Sequence, residues 1–186
     1  VDILDKCKNF TRAKEIMDAG MYPFFKSLSG NDGARVEMDG RSTIMIGSNN
    51  YLGLTHDPRV IEASKKATEK YGTSCSGSRF MNGTLDIHIE LEEKLAKFMN
   101  KDAALIFSTG FMANLGAISA LAGKDDYIIM DRACHASIYA GIQAATGANI
   151  KRYRHNDMND LEQIISNIDK GKGKIIVSDG VFSMEG

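Results

Sequence analysis

The sequence predicts an α/β fold: a mostly parallel sheet flanked by helices and preceded by an N-terminal arm. Three observations predict it. Short apolar runs alternate with amphipathic helical patterns along the second half of the chain, the order of a covered parallel sheet. Each run ends in small or polar turn residues. The first residues instead pattern as a helix and a hairpin. We place the arm at residues 1–55 and the α/β body at residues 56–186.

The arm opens with a helical pattern from Asp2 to Ala19, with Ile3, Cys7, Phe10, Ala13 and Met17 as its apolar stripe and Gly20 as its stop. Tyr22-Pro23-Phe24-Phe25 is an aromatic cluster that suits docking onto a partner subunit. Asp39-Gly40 is a hairpin signal between Ala34–Met38 and Ser42–Ile46. Asp57-Pro58 then starts a helix, Asp57 as cap and Pro58 in the first turn, and the helix ends at Tyr71-Gly72. Gly72 to Gly83 is a polar loop carrying Arg79 and Asn82. Such a loop is either a functional segment or a solvated connector. Thr84 is the expected cap of a helix that buries Ile87, Leu91, Leu95 and Phe98.

The body is organised around residues 103–137. Ala104-Leu105-Ile106-Phe107 reads as a buried strand, followed by the Ser108-Thr109-Gly110 turn and a helix from Phe111 to Leu121. A turn entering a helix leaves backbone N–H groups free for an anion. Tyr127–Met130 is a second strand that ends at Asp131 and leads to His135-Ala136-Ser137. In a parallel sheet both turns open at the carboxyl ends of strands, where ligands bind. A helix from Ile138 to Thr146, a strand at Asn149–Tyr153 near an edge, a helix capped by Asp157 and a strand at Lys174–Ser178 follow. The last stretch is Asp179-Gly180-Val181-Phe182-Ser183-Met184-Glu185-Gly186. A sheet stopping on a strand and a loop lacks its next covering helix, so we expect the chain to be the front part of a larger protein.

Composition excludes several classes. A net charge of -1 gives no basic footprint for nucleic acid, and no apolar run is long enough to span a bilayer. The three cysteines lack metal-ligand spacing and fit reduced thiols in a cytoplasmic protein. Asp131 and His135 are four apart but have no third ligand in recognisable spacing, so no metal is expected. There is no G-x-G-x-x-G, no glycine loop followed by Lys-Ser/Thr and no G-x-S-x-G, against a dinucleotide fingerprint, a P-loop and an esterase-type nucleophile.

Five stretches occur in series: Ser48–Leu54, Gly77–Thr84, Ser108–Asn114, His135–Ser137 and Asp179–Gly186. In order and context this series resembles the α-oxoamine synthase family of pyridoxal-phosphate-dependent acyltransferases, over nearly the whole chain. Leu121–Lys124 and Arg154-His155-Asn156 look most like the bacterial branch that takes serine; other branches share much of the pattern. The resemblance implies the front part of a fold-type I large domain. It implies pyridoxal 5'-phosphate as cofactor, an amino acid and an acyl-CoA as substrates, and a homodimer whose loop around Ser76–Asn82 completes the neighbouring site. Residue by residue, Gly110 and Phe111 match the amides that hold the cofactor phosphate. His135 matches the catalytic histidine that stacks on the pyridine ring and places the substrate carboxylate. Ser183 matches the serine bonded to the ring hydroxyl oxygen, and Asn49 a substrate-side position. The lysine that bonds the cofactor and the aspartate that pairs with its ring nitrogen lie downstream of Phe-Ser-Met-Glu-Gly in the family. Lys172 and Lys174 do not replace the lysine, because they precede the last strand at the wrong end of the sheet. A non-catalytic partner subunit and a plain phosphate-binding domain are the alternatives.

Overall fold

The computed structural model describes residues 2–30, 33–145 and 147–186. They form two compact units, Val1–Ser78 and Arg79–Gly186.

In the first unit the expected N-terminal helix is two short ones, α1 (Asp5–Lys8) and α2 (Arg12–Asp18). Asn9 ends the first, and Thr11 precedes the second with its hydroxyl donating to Glu15 at 2.6 Å. The predicted apolar stripe is not buried: Ile3, Phe10 and Met17 are exposed. The hairpin forms as expected from β1 (Arg35–Met38) and β2 (Arg41–Ile44), paired antiparallel with Met38 opposite Arg41. Asp39 and Gly40 both take positive φ, 52° and 70°, the geometry a two-residue hairpin turn demands. A 3₁₀ turn at Leu54–His56 leads to α3 (Pro58–Tyr71). Asp57 caps α3 by accepting from the Arg59 N–H, and Gly72 at φ 77° ends it.

The second unit opens with α4 (Asp86–Phe98). Thr84 does not cap it. Its hydroxyl donates to the Arg79 carbonyl at 2.6 Å, while His88 Nδ1 accepts the Leu85 N–H at 2.9 Å. The expected buried face is also corrected: Ile87, Leu91, Leu95 and Phe98 are exposed, and only Ala96 of this helix is buried. Glu92 holds the Arg79 guanidinium with both oxygens, at 2.9 and 3.1 Å, and this partner keeps its carboxyl below the usual range.

Residues 104–107 are not a strand. A strand exists by pairing its backbone, and here the Ile106 N–H goes to the Glu92 carboxylate at 3.0 Å. Leu105 is 68% exposed, whereas a central strand residue would be covered.

The sheet is built from β3 (Tyr127–Asp131), β4 (Asn149–Tyr153) and β5 (Lys174–Val177), all parallel in the order β4-β3-β5. Tyr127 stands opposite Asn149 on one side and Lys174 on the other. β3 is central, and Ile128, Ile129 and Met130 are wholly buried, each contributing about 1.5–3 kcal/mol. Alternation splits them between two layers. Ile128 and Met130 meet α5 (Gly110–Leu121) and α6 (Ala136–Ala144) through Ile118, Ala122, Ile138 and Ile142. Ile129 meets α7 (Met158–Ser166) through Tyr153, Leu161, Ile164, Ile165 and Ile168. The sheet is therefore covered on both faces, as the strand–helix alternation predicts. Helix α6 spans Ala136–Ala144 rather than starting at Ile138, and the expected end at Thr146 lies outside the described residues.

Candidate functional site

Two helices begin at the carboxyl end of the sheet, and their first turns form the site. Thr109 is extended and its hydroxyl accepts the Met112 N–H at 3.1 Å, which caps α5. The N–H groups of Gly110 and Phe111 have no acceptor among the described residues. They sit at the positive end of a twelve-residue helix, a favourable place for an anion. A methyl group placed on Gly110 would meet nothing within 4 Å, so the space beside its α-carbon is open.

His135 caps α6. Its Nδ1 accepts the Ser137 N–H at 3.1 Å, and the Ser137 hydroxyl oxygen is 2.7 Å from the same nitrogen. The Phe111 ring stands edge-on to the imidazole, with centroids 6.4 Å apart. Gly110, Phe111 and His135 are therefore brought together, and the imidazole is exposed. Asn114, one turn along α5 from Gly110, donates to the Ser137 hydroxyl at 2.9 Å.

The carboxyl ends of the strands hold the rest. Asp179, just after β5, accepts the His135 N–H at 2.7 Å. Asp131, at the end of β3, is 1% exposed. It accepts from the Ala133 N–H at 2.8 Å, the Asn156 N–H at 3.0 Å and His155 Nδ1 at 3.0 Å. Burial by itself raises the carboxyl pKa, but these donors outweigh it and hold Asp131 below the usual carboxylate range. Asp131 thus serves His155 and the loop amides of Ala133 and Asn156. The His155 ring meets Phe182 edge-on with centroids 4.6 Å apart. Ser183 follows in a turn closed by reciprocal backbone bonds between Phe182 and Gly186, and its side chain is exposed. No bond joins Ser183 to His135 among the described residues. Buried Cys134 donates to the Val177 carbonyl, and burial, with the Asp179 and Asp131 charges, pushes its thiol up to about 11. Lys172 and Lys174 lie at the opposite end of the sheet. Lys172 pairs with Asp125 at 3.2 Å, and Lys174 donates to the Asp169 carbonyl at 2.7 Å.

Asn49 belongs to the first unit. It is exposed, with its side-chain oxygen 3.5 Å from the Tyr51 hydroxyl. Asn114, Ser137, His155 and Asp179 all stand inside the quoted stretches, but the sequence assigns none of them a role, because nothing local marks a side chain for a partner 23 residues away.

The family model described as aminotransferase class I and II matches residues 41–186. The chain belongs to the aminotransferase class I and II family. Within it, this family member is similar to the serine palmitoyltransferase of Sphingobacterium spiritivorum, at 49% identity over 98% of this chain and 45% of that one. It is 42% identical to the 8-amino-7-oxononanoate synthase of Geobacter sulfurreducens, over 93% of this chain and 44% of that one. A solved structure of serine palmitoyltransferase from S. paucimobilis with a bound PLP–myriocin aldimine superposes with a TM-score of 0.92 at 41% identity, covering 99% of this chain and 47% of that one. Both enzyme names fall among the α-oxoamine synthases, so the resemblance drawn from the five stretches is borne out, as is the fold-type I large domain. The chain spans a little under half the length of the relatives it matches. Among the described residues no helix is long and apolar enough to cross a membrane.

Proposed function

We propose that the intact protein is a pyridoxal 5'-phosphate-dependent acyltransferase. It condenses a small amino acid, serine, with an acyl-CoA, releasing CoA and CO₂ and leaving a 3-oxo amine. The observation that carries this reading is the pairing of two acceptor-free amides, on Gly110 and Phe111, with the exposed His135 ring beside them. Met112 is already satisfied by Thr109, so the open donors number two and point to one ligand group. A phosphate fits them by charge and by hydrogen bonding.

In this reading Gly110 and Phe111 donate to the cofactor phosphate. His135 lies over the pyridine ring and donates to the carboxylate of the amino acid. Ser183 donates to the ring hydroxyl oxygen, and Asn49 acts on the substrate side. When bound, the cofactor supplies the electron sink for bonds broken at the amino-acid α-carbon. The chain's own residues bind and orient, and orientation is where much of the rate comes from. Serine is favoured over the alternative amino acids by the higher identity to serine palmitoyltransferase, 49% against 42% for the oxononanoate synthase. We assign the arm, residues 1–55, and the body, residues 56–186, to dimer contacts and cofactor binding respectively. A homodimer is supported by the exposed rings of Phe24 and Phe25, each packed on the half-buried ring of Tyr22. Free cysteines at positions 7, 75 and 134 agree with a cytoplasmic setting.

The test is to titrate the full-length protein with pyridoxal phosphate by absorbance, then to follow CoA release from palmitoyl-CoA with serine, alanine or glycine. Binding with serine-dependent release is expected. Binding with release from alanine alone would move the protein to the oxononanoate branch. Failure to bind the cofactor would leave the non-catalytic partner subunit.

A further inference from the structure

We propose that Ser137 and Asn114 are positioning residues that hold His135 as its Nε2–H tautomer, so that the ring can only donate to a substrate carboxylate. The proposal rests on the reading above, in which His135 meets the amino acid.

A backbone N–H only donates. The Ser137 N–H is 3.1 Å from His135 Nδ1, so that nitrogen accepts and carries no proton. The one proton of the neutral ring is then on Nε2. Ser137 Oγ is 2.7 Å from the same bare nitrogen, so the hydroxyl also points its proton there. With its proton committed, Oγ presents lone pairs, and the Asn114 amide nitrogen donates to it at 2.9 Å. The amide orientation follows from the network, because its oxygen would face those lone pairs. The direction of the relay, Asn114 to Ser137 to His135, is set at both ends.

Burial makes the relay hard to replace. Ser137 is 1% exposed, so water does not readily stand in for its hydroxyl. Asn114 lies on α5, whose first turn carries Gly110 and Phe111. The relay therefore ties the ring to the helix that offers the anion site, and Asp179 fixes the backbone of the same histidine. A carboxylate has only acceptors. The opposite tautomer would turn the Nε2 lone pair toward it and repel it. The relay thus suits a substrate that presents an acceptor to the ring, as a free carboxylate does.

The experiment uses the full-length protein with pyridoxal phosphate bound. Selective ¹⁵N-histidine labelling, with His135 assigned by its loss in His135→Gln, reads the tautomer in the parent. A bare Nδ1 and protonated Nε2 are expected; a protonated Nδ1 overturns the proposal. Absorbance titration with L-serine then compares Ser137→Ala, Asn114→Leu and Ser137→Thr with the parent. Both variants keep the residue-137 backbone N–H on Nδ1 and lose or weaken the hydroxyl's hold on the ring, so the loss of that one net hydrogen bond corresponds to at most roughly a ten-fold rise in the serine Kd for the first two. Cofactor Kd should stay within about two-fold, and Ser137→Thr, which keeps the hydroxyl, should retain most of the serine affinity. Serine affinity equal to the parent in both Ser137→Ala and Asn114→Leu overturns the proposal. A parent that does not bind the cofactor instead defeats the functional reading on which it stands.

Discussion

The backbone N–H of His135 donates to the Asp179 carboxylate at 2.7 Å, joining residues 44 positions apart. The bond fastens the cap residue of α6 to the loop that follows β5. It also places a negative charge at the start of a helix, where the backbone dipole favours it. Removing the acceptor in Asp179→Ala leaves that N–H to find another partner, at about 1–2 kcal/mol. Asp179→Asn keeps an acceptor oxygen and should lose less. Urea unfolding of the three proteins checks the order, and a pyridoxal phosphate titration should show the alanine variant binding more weakly.

His135 itself separates stacking from hydrogen bonding. His135→Phe keeps a flat ring and should keep much of the cofactor binding while weakening serine binding and turnover. His135→Ala loses both, and positioning losses of this kind can cost on the order of 100-fold in rate. Cofactor and serine titrations of both variants decide it. An alanine variant that binds serine and turns over like the parent would return His135 to a purely capping role.

Asp131 makes a prediction about acid. Its folded pKa is lowered, since its donors outweigh burial. The stability it supplies is fully present above the ordinary value of 3.8 and is lost as pH falls through the lower folded value. Asp131→Asn turns a donor toward the Ala133 or Asn156 N–H or toward His155 and should cost about 3 kcal/mol at neutral pH. That deficit relative to the parent should shrink on acidification below 3.8. Urea unfolding across this range tests the sign.

The thiols should differ sharply in reactivity. Cys7 is exposed, Cys75 is half-buried, and Cys134 is buried with its pKa raised to about 11. Only thiolates attack alkylating reagents readily. Iodoacetamide at neutral pH should label Cys7 first and Cys134 only after unfolding, as read by peptide mass spectrometry. Labelling of native Cys134 at the rate of Cys7 would contradict the packing.

Gly141 lets α6 approach α5. A β-carbon there would stand 2.9 Å from the Asn114 carbonyl oxygen and 3.0 Å from Ile118 Cβ. Backbone cannot yield as a side chain tip does, so Gly141→Ala should destabilise by roughly 1–3 kcal/mol. Thermal unfolding measures it. Because Asn114 sits at the clash, serine affinity should fall as well.

Much of the architecture was legible because its signals act over a few residues. Asp57 before Pro58 and Asp157 before Met158 cap the helices expected of them. Asp39-Gly40 makes its hairpin, and the apolar runs at Tyr127, Asn149 and Lys174 become parallel strands. Gly110, Phe111 and His135 were found from motif order and meet at one end of the sheet. What the sequence could not determine were the choices that depend on a distant partner. Residues 104–107 are apolar enough for a strand, yet the Ile106 N–H bonds Glu92, because pairing and not hydrophobicity makes a strand. Ile87, Leu91, Leu95 and Phe98 keep the helical period, but periodicity states which face is apolar and not what covers it. The Asn114–Ser137–His135 relay, the Asp179 bond and the Asp131–His155 pair span 23 to 44 residues. Only the tertiary structure decided those, since a hydrogen bond depends on distance and direction in space, and neither is written in sequence separation.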